Sequence, residues 1–217
     1  MAQTQLKIFF DLDGTLIDVS VRHYKVYYKS VIAHDGTPMP QAAYWDLKRQ
    51  KIGWQEILLK SGLSPDLEPD FLDSFISKIE STEYLKIDTL FVDAISTLQI
   101  ISTQHDCYLV SLRRRHQNLM NELSWLGIDK YFKKILTGHS ETDGYAKKIE
   151  LISTVIAKDE IALIVGDTEA DIITGKKLGF KTVAVLSGIR NREILALLNP
   201  DFIIRDIGKL SDITKNL

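Results

Sequence analysis

The chain lacks the features that mark several large classes of protein. It has one cysteine, Cys107, in 217 residues. A lone cysteine cannot close an internal disulfide, which excludes a disulfide-stapled secreted scaffold and fits a reducing cytoplasm. Cys107 sits in the apolar run Cys107–Val110 and reads as a buried small hydrophobe. Charge of one sign is also missing: 27 Lys and Arg stand against 29 Asp and Glu, for a net charge of -2. No basic excess points to nucleic acid, and no block of like charge points to a disordered tail. No segment approaches the ~20 apolar residues of a membrane span. The first apolar run, Leu6–Phe10, is too short for a secretory h-region and ends in acids. The expectation is a cytoplasmic protein that binds neither nucleic acid nor membrane, as a monomer or homodimer.

What is present is a large apolar fraction, 45%, enough for a sizeable core. Gln5–Leu12, Cys107–Val110, Ile161–Val165 and Lys181–Leu186 are short, apolar and rich in β-branched residues, as buried parallel strands are. Ile135–Leu136 and Phe202–Ile204 are weaker strand candidates. Helical spacing appears in Leu90–Ser102, Gln117–Leu126, Ile149–Ala157 and Ile172–Leu178. Strands alternating with helices imply βαβ units and a doubly wound, Rossmann-like parallel sheet. From about residue 18 to 86 the alternation stops. Val19–Ala33, Gln41–Gln50, Trp54–Lys60 and Leu67–Ile79 read as helices, punctuated by Asp35-Gly36, Pro38, Pro40, Gly53, Gly62 and Pro65. The expected organisation is an α/β core, residues 1–17 and 87–217, carrying an inserted all-α domain, residues 18–86.

Ile8-Phe9-Phe10-Asp11-Leu12-Asp13-Gly14-Thr15-Leu16 is the most informative segment. Alternation puts Asp11 and Asp13 on one face, at the C-terminal end of a strand, where open parallel sheets place their sites. Two adjacent carboxylates repel unless a cation or proton intervenes, so one can bind metal and attack while the other acts as acid and base. A second apolar strand ends in Gly166-Asp167-Thr168-Glu169-Ala170-Asp171. Carboxylates four residues apart at a helix start face one side, and hard oxygen ligands suit Mg²⁺.

Asp-Xaa-Asp-Gly-Thr at 11–15 resembles the first motif of the haloacid dehalogenase superfamily, in the form typical of its phosphatases. Gly-Asp-Thr-Xaa-Xaa-Asp at 166–171 resembles the fourth. The resemblance implies that Asp11 attacks phosphorus and that Asp13 protonates the leaving group and then activates water. It further implies that the Asp13 carbonyl binds Mg²⁺ and that Thr15 orients Asp13. Asp167 is the implied metal ligand, Asp171 a direct or water-mediated one, and Glu169 a weaker candidate. Asp13 argues against a dehalogenase, because the enzymes that give the family its name lack that second acid. Ser111 matches the second motif, although Leu112 follows where a small or amide residue is usual. Lys148, in preference to Lys147, matches the third; the usual Lys-Pro is absent.

The insert resembles the family's helical cap, which closes over the site. Arg113, Arg114 and Arg115 follow Ser111, and Arg113 is the first choice for a second anionic group of the substrate; His116 could assist. Ser187–Arg190 resembles a loop near the site. Tyr24, Tyr27 and Tyr28 read as cap core in preference to substrate contacts, as do Arg22 and His23, and Trp45, Trp54 and Trp125 read as packed. The function expected is Mg²⁺-dependent hydrolysis of a small-molecule phosphate monoester through an aspartyl-phosphate. The alternatives are a β-phosphoglucomutase-like phosphomutase of the same fold and a non-catalytic protein that binds a phosphate ligand.

Overall fold

A computed structural model describes residues 5–157 and 160–217. In chain order the elements are β1 (Lys7–Phe10), β2 (Ile17–Asp18), α1 (Ser20–Ala33), α2 (Gln41–Arg49), α3 (Trp54–Lys60), α4 (Glu68–Ile79), α5 (Thr82–Leu85) and β3 (Thr89–Leu90). They continue with α6 (Ala94–Gln104), β4 (Asp106–Ser111), α7 (His116–Leu126), β5 (Lys134–Thr137), α8 (Gly144–Ser153) and β6 (Ala162–Gly166). The chain ends with α9 (Glu169–Leu178), β7 (Lys181–Val185), α10 (Arg192–Ala196), β8 (Phe202–Ile204) and α11 (Leu210–Thr214).

Six strands form one sheet in the order β5-β4-β1-β6-β7-β8, every neighbouring pair parallel. The order reverses beside β1, so the crevice for a ligand opens at its C-terminal end. Helices cover both faces, as parallel strands require. Ile8, Phe10, Leu109, Leu163 and Val165 pack on one side with Leu98, Ile101, Leu119 and Leu123. Phe9, Tyr108, Val110 and Ile164 pack on the other with Ile152. The two-residue side-chain period of β1 thus feeds both layers.

Helices α1–α5 gather a separate buried cluster that includes Val26, Tyr27, Tyr44, Ile57, Phe71 and Phe75. They enter and leave through a two-stranded antiparallel ribbon, Ile17 facing Leu90 and Asp18 facing Thr89.

Several boundaries differ from the sequence expectation. β1 stops at Phe10, so Asp11 and Asp13 lie just beyond the strand, although the Asp11 N–H still donates to the Val165 carbonyl at 2.9 Å. Leu90 belongs to the ribbon and not to α6, because its helical spacing with Ala94 is coincidental to a strand pairing that local periodicity does not encode. α8 begins at Gly144 and ends at Ser153, earlier than expected. Val155 and Ile156, read as its last apolar turn, pack from the segment that follows it. Tyr27 is fully buried, but Tyr28 and Trp125 are largely exposed, contrary to the expected packing. Cys107 is buried and free, its thiol pushed up to about 12 by burial.

Candidate active site

The turn after β1 is set by Gly14, whose φ of +76° suits glycine. A Cβ there would also collide with the Asp167 carboxylate and the Gly188 backbone. The close approach brings the ends of β1 and β6 together and places Asp167 beside Asp11. Asp11, Asp167 and Asp171 each offer a carboxylate oxygen, all within 4.8 Å of one another.

Lys148, on α8, enters this acid group. Its Nζ donates to Asp11 Oδ1 at 2.7 Å and to Asp171 Oδ1 at 2.5 Å. Lys147 points outward and pairs with Glu150. Burial alone would lower the Lys148 ammonium, but Asp11 and Asp171 override it and hold the group above its ordinary value. Burial pushes the Asp11 carboxyl up to about 7; Lys148 opposes the rise, and Asp171 and Asp13 add to it. Burial, reinforced by Asp11 and Asp171, also holds Asp167 well above the usual carboxylate range. Three crowded acids against one ammonium make a site that a divalent cation relieves, and an all-oxygen donor set fits Mg²⁺.

Asp171 does two further things. Its Oδ2 accepts from the Thr168 N–H at 3.1 Å and from Thr168 Oγ1 at 2.7 Å, closing a capping box on α9. Both of its oxygens therefore already have partners. Thr15, fully buried, points Oγ1 at Asp167 Oδ1 (3.5 Å) and not at the Asp13 carboxylate.

Asp13 is held by arginines instead. Arg113 clasps it with two bonds, Nε to Oδ2 at 2.8 Å and Nη2 to Oδ1 at 2.5 Å. Arg22, from α1, adds Nη2 to Oδ2 at 3.0 Å. Behind them lie two more buried acids: Asp88, 3.0 Å from Arg22 Nε, and Glu122, 3.1 Å from Arg113 Nη1. Burial would raise the Asp13 carboxyl, but Arg113 and Arg22 hold it well below its ordinary range. Burial dominates at Asp88 and pushes it up to about 9, against the pull of Arg22. Arg113 thus faces Asp13 and the cavity together, rather than presenting a free guanidinium.

Ser111 ends β4, buried, and lines the same cavity of about 300 Å³ as Asp11, Asp13, Arg22, His23, Arg113 and Lys148. Phe75, Ile76 and Ile79 of α4 give it an apolar wall. Glu169 points away and pairs with Arg190 (2.8 Å) and Lys51 (2.8 Å). His116 bonds Thr137 Oγ1 at 3.0 Å. Arg115 Nη2 donates to the Ser77 carbonyl at 2.7 Å.

The sequence reading passed over Asp88 and Glu122 and took Arg22 for a cap-core residue. Glu122 carried a signal: it lies between Leu119 and Leu123 on the buried stripe of α7, and a charge on an apolar stripe needs a buried partner. Asp88 carried none.

The parallel α/β sheet thus gathers an acid pair after its first strand, a buried lysine and a second acid pair after its fourth strand in chain order. The chain matches the family described as haloacid dehalogenase-like hydrolase over residues 8–185, and it belongs to that family. The pyrophosphatase PpaX of Anoxybacillus flavithermus is 26% identical, covering 95% of both chains. That of Oceanobacillus iheyensis is 27% identical over 92% of each. A haloacid dehalogenase-like family hydrolase from Streptococcus pneumoniae shares the fold, with a TM-score of 0.77, 22% identity, and coverage of 96% of this chain and 98% of that one.

Proposed function

We propose that this hydrolase cleaves a small phosphate ester by transferring the phosphoryl group to Asp11, with Mg²⁺ as cofactor. The observation that carries the reading is the contact of Lys148 Nζ with Asp11 (2.7 Å) inside the acid group, at the floor of a cavity that Ser111 also lines. Asp11 Oδ2 is then the attacking atom, since Oδ1 is engaged by Lys148. Lys148 and Ser111 bind the transferring oxygens and stabilise their charge. Asp11, Asp167 and the Asp13 carbonyl would hold Mg²⁺, which would supply charge neutralisation when bound. Asp171 fixes Lys148 and completes the acid group. As found, Asp13 is an ion suited to taking a proton from water in the second step. The first step needs its carboxyl protonated and turned off the Arg113 fork.

The domain organisation that goes with this reading is a core of residues 1–17 and 87–217 and a cap of residues 18–86. Its support is the separate buried cluster of α1–α5 and the ribbon through which they connect. The cap closes the cavity with Arg22, His23 and the α4 wall. That apolar wall suits an organic leaving group. The names of the PpaX relatives favour a second substrate, inorganic pyrophosphate.

The test is phosphate release by the purified chain from a panel of phosphate monoesters and pyrophosphate, with Mg²⁺ and with EDTA. Release that EDTA abolishes is expected, and the preferred member of the panel decides between the two substrates. No release from any member, or isomerisation of a phosphosugar without release, contradicts the hydrolase reading.

A further inference from the structure

We infer that Arg49, at the end of α2, is a positioning residue that braces the loop after β7 against Asp167 and so sets the affinity of the site for Mg²⁺. The inference rests on the metal reading above and deepens it. Arg49 Nη1 donates to the Gly188 carbonyl at 2.6 Å, and Nη2 donates to the Leu186 carbonyl at 3.1 Å. The Arg49 carbonyl in turn accepts from the Asn191 N–H at 3.1 Å. One residue of the α1–α5 layer therefore holds the loop at three points across a gap of about 140 positions in sequence.

The other side of that loop faces the acid group. The Ile189 N–H donates to Asp167 Oδ2 at 2.6 Å, and Ser187 Oγ donates to the Gly14 carbonyl at 2.8 Å. Gly188 lies against the same carboxylate so closely that a Cβ there would overlap it. Asp167 is clamped between Gly14 and the 187–189 backbone. Moving the Leu186 and Gly188 carbonyls displaces the Ile189 N–H that orients its Oδ2. A partner that orients a metal ligand in this way typically changes affinity by about 10- to 100-fold when lost.

The contact is distinct from the ionic one beside it. Lys51 pairs with Glu169 and Arg190 reaches the Lys48 carbonyl at 3.1 Å, but neither touches Asp167. Lys51 is mostly exposed, where ion pairs contribute little. Because the fork spans α2 and the metal loop, linkage runs both ways: Mg²⁺ must favour the docked position of α2 as much as docking favours Mg²⁺.

The experiment is calorimetric titration of the full chain with Mg²⁺ alone, in the absence of substrate, with hydrogen exchange of residues 186–191 followed in parallel. Arg49→Met is expected to weaken Mg²⁺ binding about 10-fold or more and to speed exchange of the Ile189 and Asn191 amides. Arg49→Lys, which keeps the charge but not the two-carbonyl fork, should recover only part of the affinity. Lys51→Gln should leave both readouts near wild type. If Arg49→Met binds Mg²⁺ like wild type, or if binding weakens with no change in loop exchange, the brace is wrong. A wild-type chain that binds no Mg²⁺ would overturn the metal reading and the brace together, whereas a wild type that binds with an unaffected Arg49→Met sinks the brace alone.

Discussion

Lys148 shows how one side chain can be assigned by geometry after sequence leaves a choice. Lys147 and Lys148 are adjacent and chemically equal, and only the helical phase of α8 decides which one faces the sheet. Lys148 is 3% exposed and sits between Asp11 and Asp171, while Lys147 pairs with Glu150 at the surface. Lys148→Met is expected to lower kcat by about 100- to 1,000-fold, the loss typical of removing one preorganised charge-stabilising donor. Lys147→Met should stay close to wild type in the same steady-state assay. Comparable losses in both variants would remove Lys148 from the site. Asp11, Asp13 and Asp167 were legible as residues because apolar strands ending in paired acids are rarely structural. The partners of Asp13 were not. Arg22 and Asp88 meet only when the chain folds, and no local spacing records that meeting.

The elements follow from the same physics with one systematic failure. Long apolar runs gave the parallel strands, and four of the five helices of residues 18–86 were found to within a residue or two at each end, Trp54–Lys60 at both ends; the one-turn α5 was not. The two-residue strands β2 and β3 were missed, since a pairing between Ile17 and Leu90 is non-local and too short for a period. That ribbon matters, because it places Asp88 beside Arg22 and Arg113. Asp13, Asp88 and Glu122 share two guanidiniums, and burial raises both Glu122 and, beside it, Asp88. The Asp88 carboxyl rises from 3.8 to about 9. Across roughly pH 4 to 9 the folded chain holds a proton that the unfolded chain has lost, so Asp88 makes stability fall as pH rises. Asp88→Asn is expected to make that fall shallower in urea unfolding curves recorded from pH 5 to 9, with Asp11 and Asp167, also raised by burial, carrying the rest. An Asn variant with the wild-type pH slope would show that the proton resides elsewhere.

At the scale of the molecule, the sheet brings the ends of β1, β4 and β6 together with α8 and α9 at a single crevice, which α1 and α4 also line. The fold class was legible because the alternation of strand and helix admits few other architectures. Part of the cavity wall comes from side chains of α1 and α4 that carried no site signal in sequence. The proposed reaction turns on Asp11 forming a covalent phosphoenzyme, and that can be measured directly. The chain is mixed with Mg²⁺ and para-nitrophenyl phosphate, quenched in acid within the first turnover, reduced with borohydride, and mapped by peptide mass spectrometry. An acyl phosphate on the nucleophile is converted to homoserine by this treatment, so homoserine at position 11 is the predicted result, absent from Asp11→Asn. Phosphate release with unmodified Asp11, or homoserine at another aspartate, would contradict the account.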